Sequence, residues 1–212
     1  MSDKFMKYIL LVLCLNVSSS LFAQNDKKAI IKEIKAYQKE LNEAYKDPEK
    51  SPLEPADLKK FKKHDFFPIN LAYRVKAKLT VTENEGYFEM TTTTTRRPKY
   101  RKYGIIEFEI EGKKYQLNVY QSQDLQGKIA YKDYLFLPFK DLTSGVDTYK
   151  VGRYIELSIP KEGNEIIVDF NKAYNPYCAY SNDYSCPIVP SENHLNVRIP
   201  AGIRYKKKKE DE

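Results

Sequence analysis

From Tyr73 to Thr82 every second residue is apolar or aromatic: Tyr73, Val75, Ala77, Leu79 and Val81 alternate with Arg74, Lys76, Lys78, Thr80 and Thr82. A period of two places the first set on one face of an extended strand and the second on the other, so the segment buries only half of itself. Related patterns cover 87–93, 104–110, 115–121, 134–138, 149–159, 165–170 and 195–199. Glu111-Gly112-Lys113 and Gly163-Asn164 read as hairpin turns between consecutive segments, which makes the neighbours antiparallel. Residues 27–45 follow another period, with Ile30, Ile31, Ile34, Tyr37, Leu41 and Ala44 recurring at helical spacing among Lys and Glu. Such a helix needs a sheet to cover. Pro48, Pro52 and Pro55 break the chain after it, and 58–63 reads as a further short turn. The expectation is a mainly β, α+β domain: an antiparallel β-barrel or sandwich of about eight strands with an N-terminal amphipathic helix.

The start of the chain joins Lys4 and Lys7 to the apolar run Tyr8–Leu15 and closes on Leu21-Phe22-Ala23 before Gln24. This is the pattern of a secretory signal peptide, so a secreted or periplasmic location is expected. The run is too short to span a bilayer and no other stretch is apolar enough, which predicts no transmembrane segment in the mature chain. Cys14 follows bulky Leu13, where lipoprotein processing requires a small residue, so no lipid anchor is expected. The division is a signal peptide at 1–23, one β-rich domain at 24–205 and a charged, disordered tail at 206–212. Lys and Arg outnumber Asp and Glu by 36 to 29. Much of the excess sits in Arg96-Arg97-Pro98-Lys99-Tyr100-Arg101-Lys102 and in Lys206–Lys209, with the signs interspersed elsewhere. That reads as a solvated loop and tail, and no nucleic-acid partner is expected. The 18 tyrosines suit half-buried strands without invoking a sugar ligand.

Chemistry-bearing residues concentrate between Asp169 and Asn193. Parity in the 149–159 strand places Arg153 on the same face as Val151, Ile155, Leu157 and Ile159. A guanidinium on an apolar face needs a partner or a polar cavity. Asp169 is the expected partner, reached through the Gly163 hairpin. A pocket lined by Arg153, Asp169, Asn171, Tyr174, Asn175 and Asn193 would then bind a small polar or anionic molecule. The alternative is a carboxylate-based or metal-dependent hydrolase or lyase using Asp169 and Glu192. A third reading is structural, with the whole block acting as a disulfide-locked cap. Cys178 and Cys186 would form that disulfide in an oxidising compartment. Closing so short a loop stabilises a fold by about 2–3 kcal/mol in the chain-entropy picture. Metal at this pair is the minority reading, since structural zinc sites space their cysteines two to four apart, and no cofactor is expected. There is no G-x-S-x-G, H-E-x-x-H, phosphate-cradling glycine loop or dinucleotide fingerprint. His64 reads as a solvated helix end. Asp141 reads as a turn residue whose carboxylate caps backbone amides.

The chain resembles the DUF1684 family of domains of unknown function over Glu40 to Gly202. The words that carry the resemblance include Phe67-Pro68, Tyr73-Arg74, Phe136-Leu137-Pro138-Phe139, Asp141-Leu142-Thr143, Gly152-Arg153-Tyr154, Asp169-Phe170-Asn171, Ala173-Tyr174-Asn175-Pro176, Cys178-Ala179, Cys186-Pro187 and Glu192-Asn193. The resemblance implies a bacterial or archaeal protein and supplies no activity. Arginine is usual in the family where this chain has His194, which counts against chemistry at that position.

Overall fold

The computed structural model describes residues 3–83 and 85–205, with side chains from Gln24 onward. The tail expected at 206–212 therefore lies outside the described residues, as do the side chains of the segment read as a signal peptide. The chain divides after Leu41 into a helical unit and a second unit that holds the sheet. Helix α1 (Asp3–Lys46) contains the stretch expected from the spacing at 27–45, and its last turn from Asn42 belongs to the second unit. A single-turn helix, α2 (Pro55–Leu58), follows, with proline at its first position, where no backbone hydrogen bond is lost. Among the described residues no helix is long and apolar enough to cross a membrane.

Seven strands form one antiparallel sheet: β1 (Arg74–Val81), β2 (Phe88–Glu89), β3 (Lys99–Ile110), β4 (Lys113–Ser122), β5 (Tyr134–Phe139), β6 (Arg153–Ser158) and β7 (Glu165–Asp169). Their order is β6-β5-β4-β3-β1-β7, with β2 added beside β3, and the sheet curls into a half-barrel. The β3–β4 hairpin is where expected, because Glu111 and Gly112 hold φ of 52° and 74° and so match the twist of the flanking strands.

Gly163-Asn164 behaves differently. It does not join paired neighbours: β6 lies at one end of the strand order and β7 at the other, where β7 pairs with β1. The Leu79 amide binds Asn164 O at 2.7 Å, so the turn is drawn to β1. Two other segments also depart from their pattern. In 195–199, Leu195 and Ile199 enter the core, but the backbone forms no strand and instead bonds the loop after β5, with Leu195 N–H donating to Lys140 O at 2.8 Å and Val197 O accepting from Leu142 N–H at 3.0 Å. In 149–159 the strand begins at Arg153, because Gly152 stands at φ 111° against Phe139 O, where an added Cβ would lie at 2.6 Å.

One face of the sheet carries the main core, from Val75, Ala77 and Leu79 in β1 through Ile106, Leu117, Leu137 and Ile155 to Phe170. At the β4–β6 end the second face is covered too. Met90 and Val189 pack there with Tyr120, Phe136 and Tyr154, so the cover comes from the segments around 90–98 and 174–190. These segments join through backbone bonds, Thr93 N–H to Cys186 O at 2.9 Å and Ile188 N–H to Thr91 O at 2.8 Å. That pairing explains why only Phe88 and Glu89 of the strand expected at 87–93 pair with β3.

Candidate functional site

Arg153 does lie on the apolar face, fully buried, but Asp169 is not its partner. Its Nη2 donates to Asp141 Oδ1 at 3.1 Å, Ile199 O at 3.1 Å and Thr143 Oγ1 at 3.4 Å, and its Nη1 donates to Ala201 O. Its guanidinium also stacks over Phe139, 5.0 Å from the ring centre. Asp141 Oδ2 in turn accepts from Ile199 N–H at 2.7 Å and Thr143 N–H at 3.3 Å. The amide-capping role expected of Asp141 is present, and the ion pair is added to it. The reason is topological: with β7 across the sheet from β6, the loop after β5 supplies the carboxylate.

Asp169 sits at the end of β7, 3.6 Å from Arg74. Its Oδ1 accepts from Asn171 N–H at 3.0 Å and Asn171 Nδ2 at 2.9 Å, capping the turn that begins at Phe170. Asn171 continues the tie by exchanging hydrogen bonds with the Asn70 backbone at 2.9 and 3.0 Å. Asn193 clips β4 to β5: its Nδ2 donates to Pro138 O and Asn118 O at 2.6 and 2.9 Å, while its Oδ1 accepts from Asn118 N–H at 2.8 Å. Tyr174 donates to Glu156 at 3.2 Å, and buried Asn175 donates to Tyr180 Oη at 3.1 Å. Glu192 is exposed and bonds Ser191 at 3.1 Å. Among the described residues Asp169 and Glu192 share no hydrogen-bond partner. Asn171 and Asn193 spend their amide groups inside the protein, whereas Asp169 Oδ2, beside Arg74, and Asn175 Oδ1 are buried without a hydrogen-bond partner among the described residues.

A cleft of about 670 Å³ lies elsewhere, where Phe108, Tyr115, Lys78, Glu109, Lys114 and Glu165 meet, and it contains none of the expected site residues. His64 is not solvated either. It is 7% exposed, edge-on to Tyr45 at 4.3 Å and Phe61 at 4.9 Å, and burial pushes its pKa down to about 4.

The cysteines are another matter. No disulfide joins them: Cys178 and Cys186 are free thiols, the first partly exposed and the second buried. They nevertheless form a unit. Cys186 Sγ accepts from the Cys178 backbone N–H at 3.2 Å. Interaction with Cys178, the neighbouring backbone N–H groups and the charge of Arg96 push the Cys186 thiol down, whereas interaction with Cys186 and burial push Cys178 up. Thr93 and Tyr149 flank the outer thiol, with Tyr149 Oη 4.0 Å from Cys178 Sγ and 3.3 Å from Cys178 O. Thr93 Oγ1 also accepts from Cys186 N–H at 3.2 Å. Among the described residues no group of three or more His, Cys, Asp or Glu is placed to hold a metal ion.

Sequence reasoning named the thiols but missed Thr93, Arg96, Tyr149 and Ser185. The run Thr91–Thr95 beside Arg96-Arg97 was the available signal, since five hydroxyls exceed what a turn requires. Its pairing with residues some ninety positions later has no local period to announce it.

The pattern of a family described as "Protein of unknown function (DUF1684)" matches residues 59–204. An uncharacterised protein of Haloarcula marismortui, solved by solution NMR, is similar in fold and sequence. It superposes with a TM-score of 0.67 at 30% identity, covering 85% of this chain and 97% of that one. No curated protein matches the chain.

Proposed function

The chain belongs to the DUF1684 family, whose description assigns no activity, and from the geometry we propose that Cys178 and Cys186 form a dithiol that exchanges with a substrate disulfide. The observation that carries this reading is the pair itself: two free thiols, one partly exposed and one buried, held together by the Cys178 backbone N–H donating to Cys186 Sγ at 3.2 Å.

The exchange balances as follows. Cys178 Sγ attacks one sulfur of the substrate disulfide, passing its proton to the Cys186 thiolate as a mixed disulfide forms and one substrate thiolate leaves. Cys186 then loses that proton to the departing thiolate and attacks Cys178 Sγ. The second substrate thiolate is expelled and the intramolecular disulfide remains. The substrate gains two electrons and the protein loses two. The same steps run backwards when the substrate is a dithiol.

Trapping tests this directly. Cys186→Ser with a small disulfide should hold a stable mixed disulfide at Cys178, whereas Cys178→Ser should trap little. Equal trapping in both variants, or none in either while the fold is intact, would contradict the reading. We also propose export, supported by the sequence of residues 1–23 alone. N-terminal sequencing of the mature protein should then begin at Gln24.

A further inference from the structure

The loop beside the thiols holds a fixed cation. Arg96 is exposed, yet its guanidinium Nη2 donates to Ser185 O at 3.0 Å, one residue from Cys186. Its backbone N–H donates to Thr94 Oγ1 at 3.2 Å, and Thr94 Oγ1 meets Ser185 Oγ at 2.6 Å. Ser185 Oγ donates in turn to Thr92 Oγ1 at 2.9 Å. Arg97 bends back onto the same loop, its Nη1 donating to Thr94 O at 2.7 Å and Arg96 O at 2.9 Å. A surface arginine ordinarily wanders in solvent, whereas these bonds hold Arg96 at the mouth of the thiol pair.

Neither arginine makes an ion pair with a carboxylate among the described residues, unlike Arg74, Arg153, Arg198 and Arg204. A guanidinium held by a backbone carbonyl and without a carboxylate partner offers its remaining donors to an anion. Bonded to the carbonyl of the residue before Cys186, it is placed to meet an anionic group a few bonds from the substrate's own sulfur.

Resting on the exchange reading above, we propose that Arg96 makes the thiol pair selective for small disulfides that carry a carboxylate close to the sulfur. The outer sulfur, Cys178, meets the disulfide, while Arg96 receives the carboxylate and aligns the bond to be broken. Substrate charge then sets the rate before any contact with the rest of the protein.

The experiment measures second-order exchange rates of the full chain with three probes: dithiodipropionate (anionic), 2-hydroxyethyl disulfide (neutral) and cystamine (cationic). In the wild type the anionic probe should outrun the neutral one by about five- to tenfold, with cystamine slowest, and the spread should shrink in about 1 M salt. Arg96→Gln should bring the anionic-to-neutral ratio close to one. Because Arg96 also acidifies Cys186, that ratio is the informative quantity: a change in thiolate fraction affects both probes alike. Arg96→Lys should keep much of the preference, which separates charge from mere loop position. A ratio unchanged in Arg96→Gln, or near one in the wild type, would overturn the assignment. No reaction with any of the three probes would bring down the exchange reading itself, and the role of Arg96 with it.

Discussion

Arg153 and Tyr154 are neighbours in β6, and their side chains leave opposite faces of the sheet toward two polar regions of different construction. Arg153 enters the Asp141 tie, where the carboxylate accepts from side chains and amides and the guanidinium holds the carbonyls of Ile199 and Ala201. Tyr154 Oη donates to Pro187 O, next to Cys186. In the first region charge meets charge and the loop after β5 is locked to the C-terminal segment. In the second two free thiols lie together, one in a partly exposed residue and one buried. A buried, ion-paired network holds the fold, while two adjacent free thiols with a partly open side are equipped for chemistry.

The largest expected effect breaks the first region. Arg153→Ala leaves Asp141 charged and buried, which should cost about 3–5 kcal/mol in denaturant unfolding. Disulfide exchange by the remaining native fraction should stay near wild-type rates, because Arg153 touches neither thiol. Loss of exchange in proportion beyond unfolding would show that the regions are not separate.

His64 comes next. Its folded pKa of about 4 lies below the ordinary 6.5, so the unfolded chain binds the proton more readily between those values. Its contribution to stability is whole above pH 6.5 and is lost as pH falls toward 4, by at most about 3 kcal/mol. Unfolding curves across that range should show the slope, and His64→Phe should flatten it. A slope unchanged in the variant would assign the effect to other groups.

Smaller still is Gly202→Ala. Gly202 stands at φ 77°, and an added Cβ would lie 2.6 Å from Phe170 O. The left-handed backbone alone should lower stability by about 1–2 kcal/mol in the same unfolding assay, with the close contact adding to it. Tyr149→Phe sharpens the comparison from the other side. It removes the hydroxyl beside Cys178 without opening the core, so stability should shift by less than about 1 kcal/mol. The pH profile of exchange should move because Cys178 loses a donor. A stability loss without any change in that profile would place Tyr149 with the structural tie.

Much of the fold was legible in local periodicity. The alternation in β1 survives as buried Val75, Ala77 and Leu79 against exposed Lys76, Lys78 and Thr80, and Glu111-Gly112 makes the hairpin its residues require. Parity placed Arg153 on the inner face, and its need for a partner followed from burial. The partner did not follow, because that depends on strand order, and nothing in Gly163-Asn164 tells whether β7 returns to β6 or crosses to β1. The backbone ties were hidden for the same reason: Asn171 and Asn193 were recognisable as unusual polar residues, but only the register shows that they clip backbone together. The thiols were legible as a pair. Their framing by Thr93 and Arg96 was not, since it joins segments about ninety residues apart.

The central claim is tested most directly by equilibrating the protein in glutathione buffers of graded oxidation and following the intact mass of residues 178–186 after acid quench. The account predicts a reversible loss of two hydrogens in that segment at one defined redox ratio, abolished by Cys178→Ser or Cys186→Ser, with the fold unchanged across the series. Two thiols that stay reduced throughout, or a bridge that once formed cannot be reopened in the native protein, would contradict it.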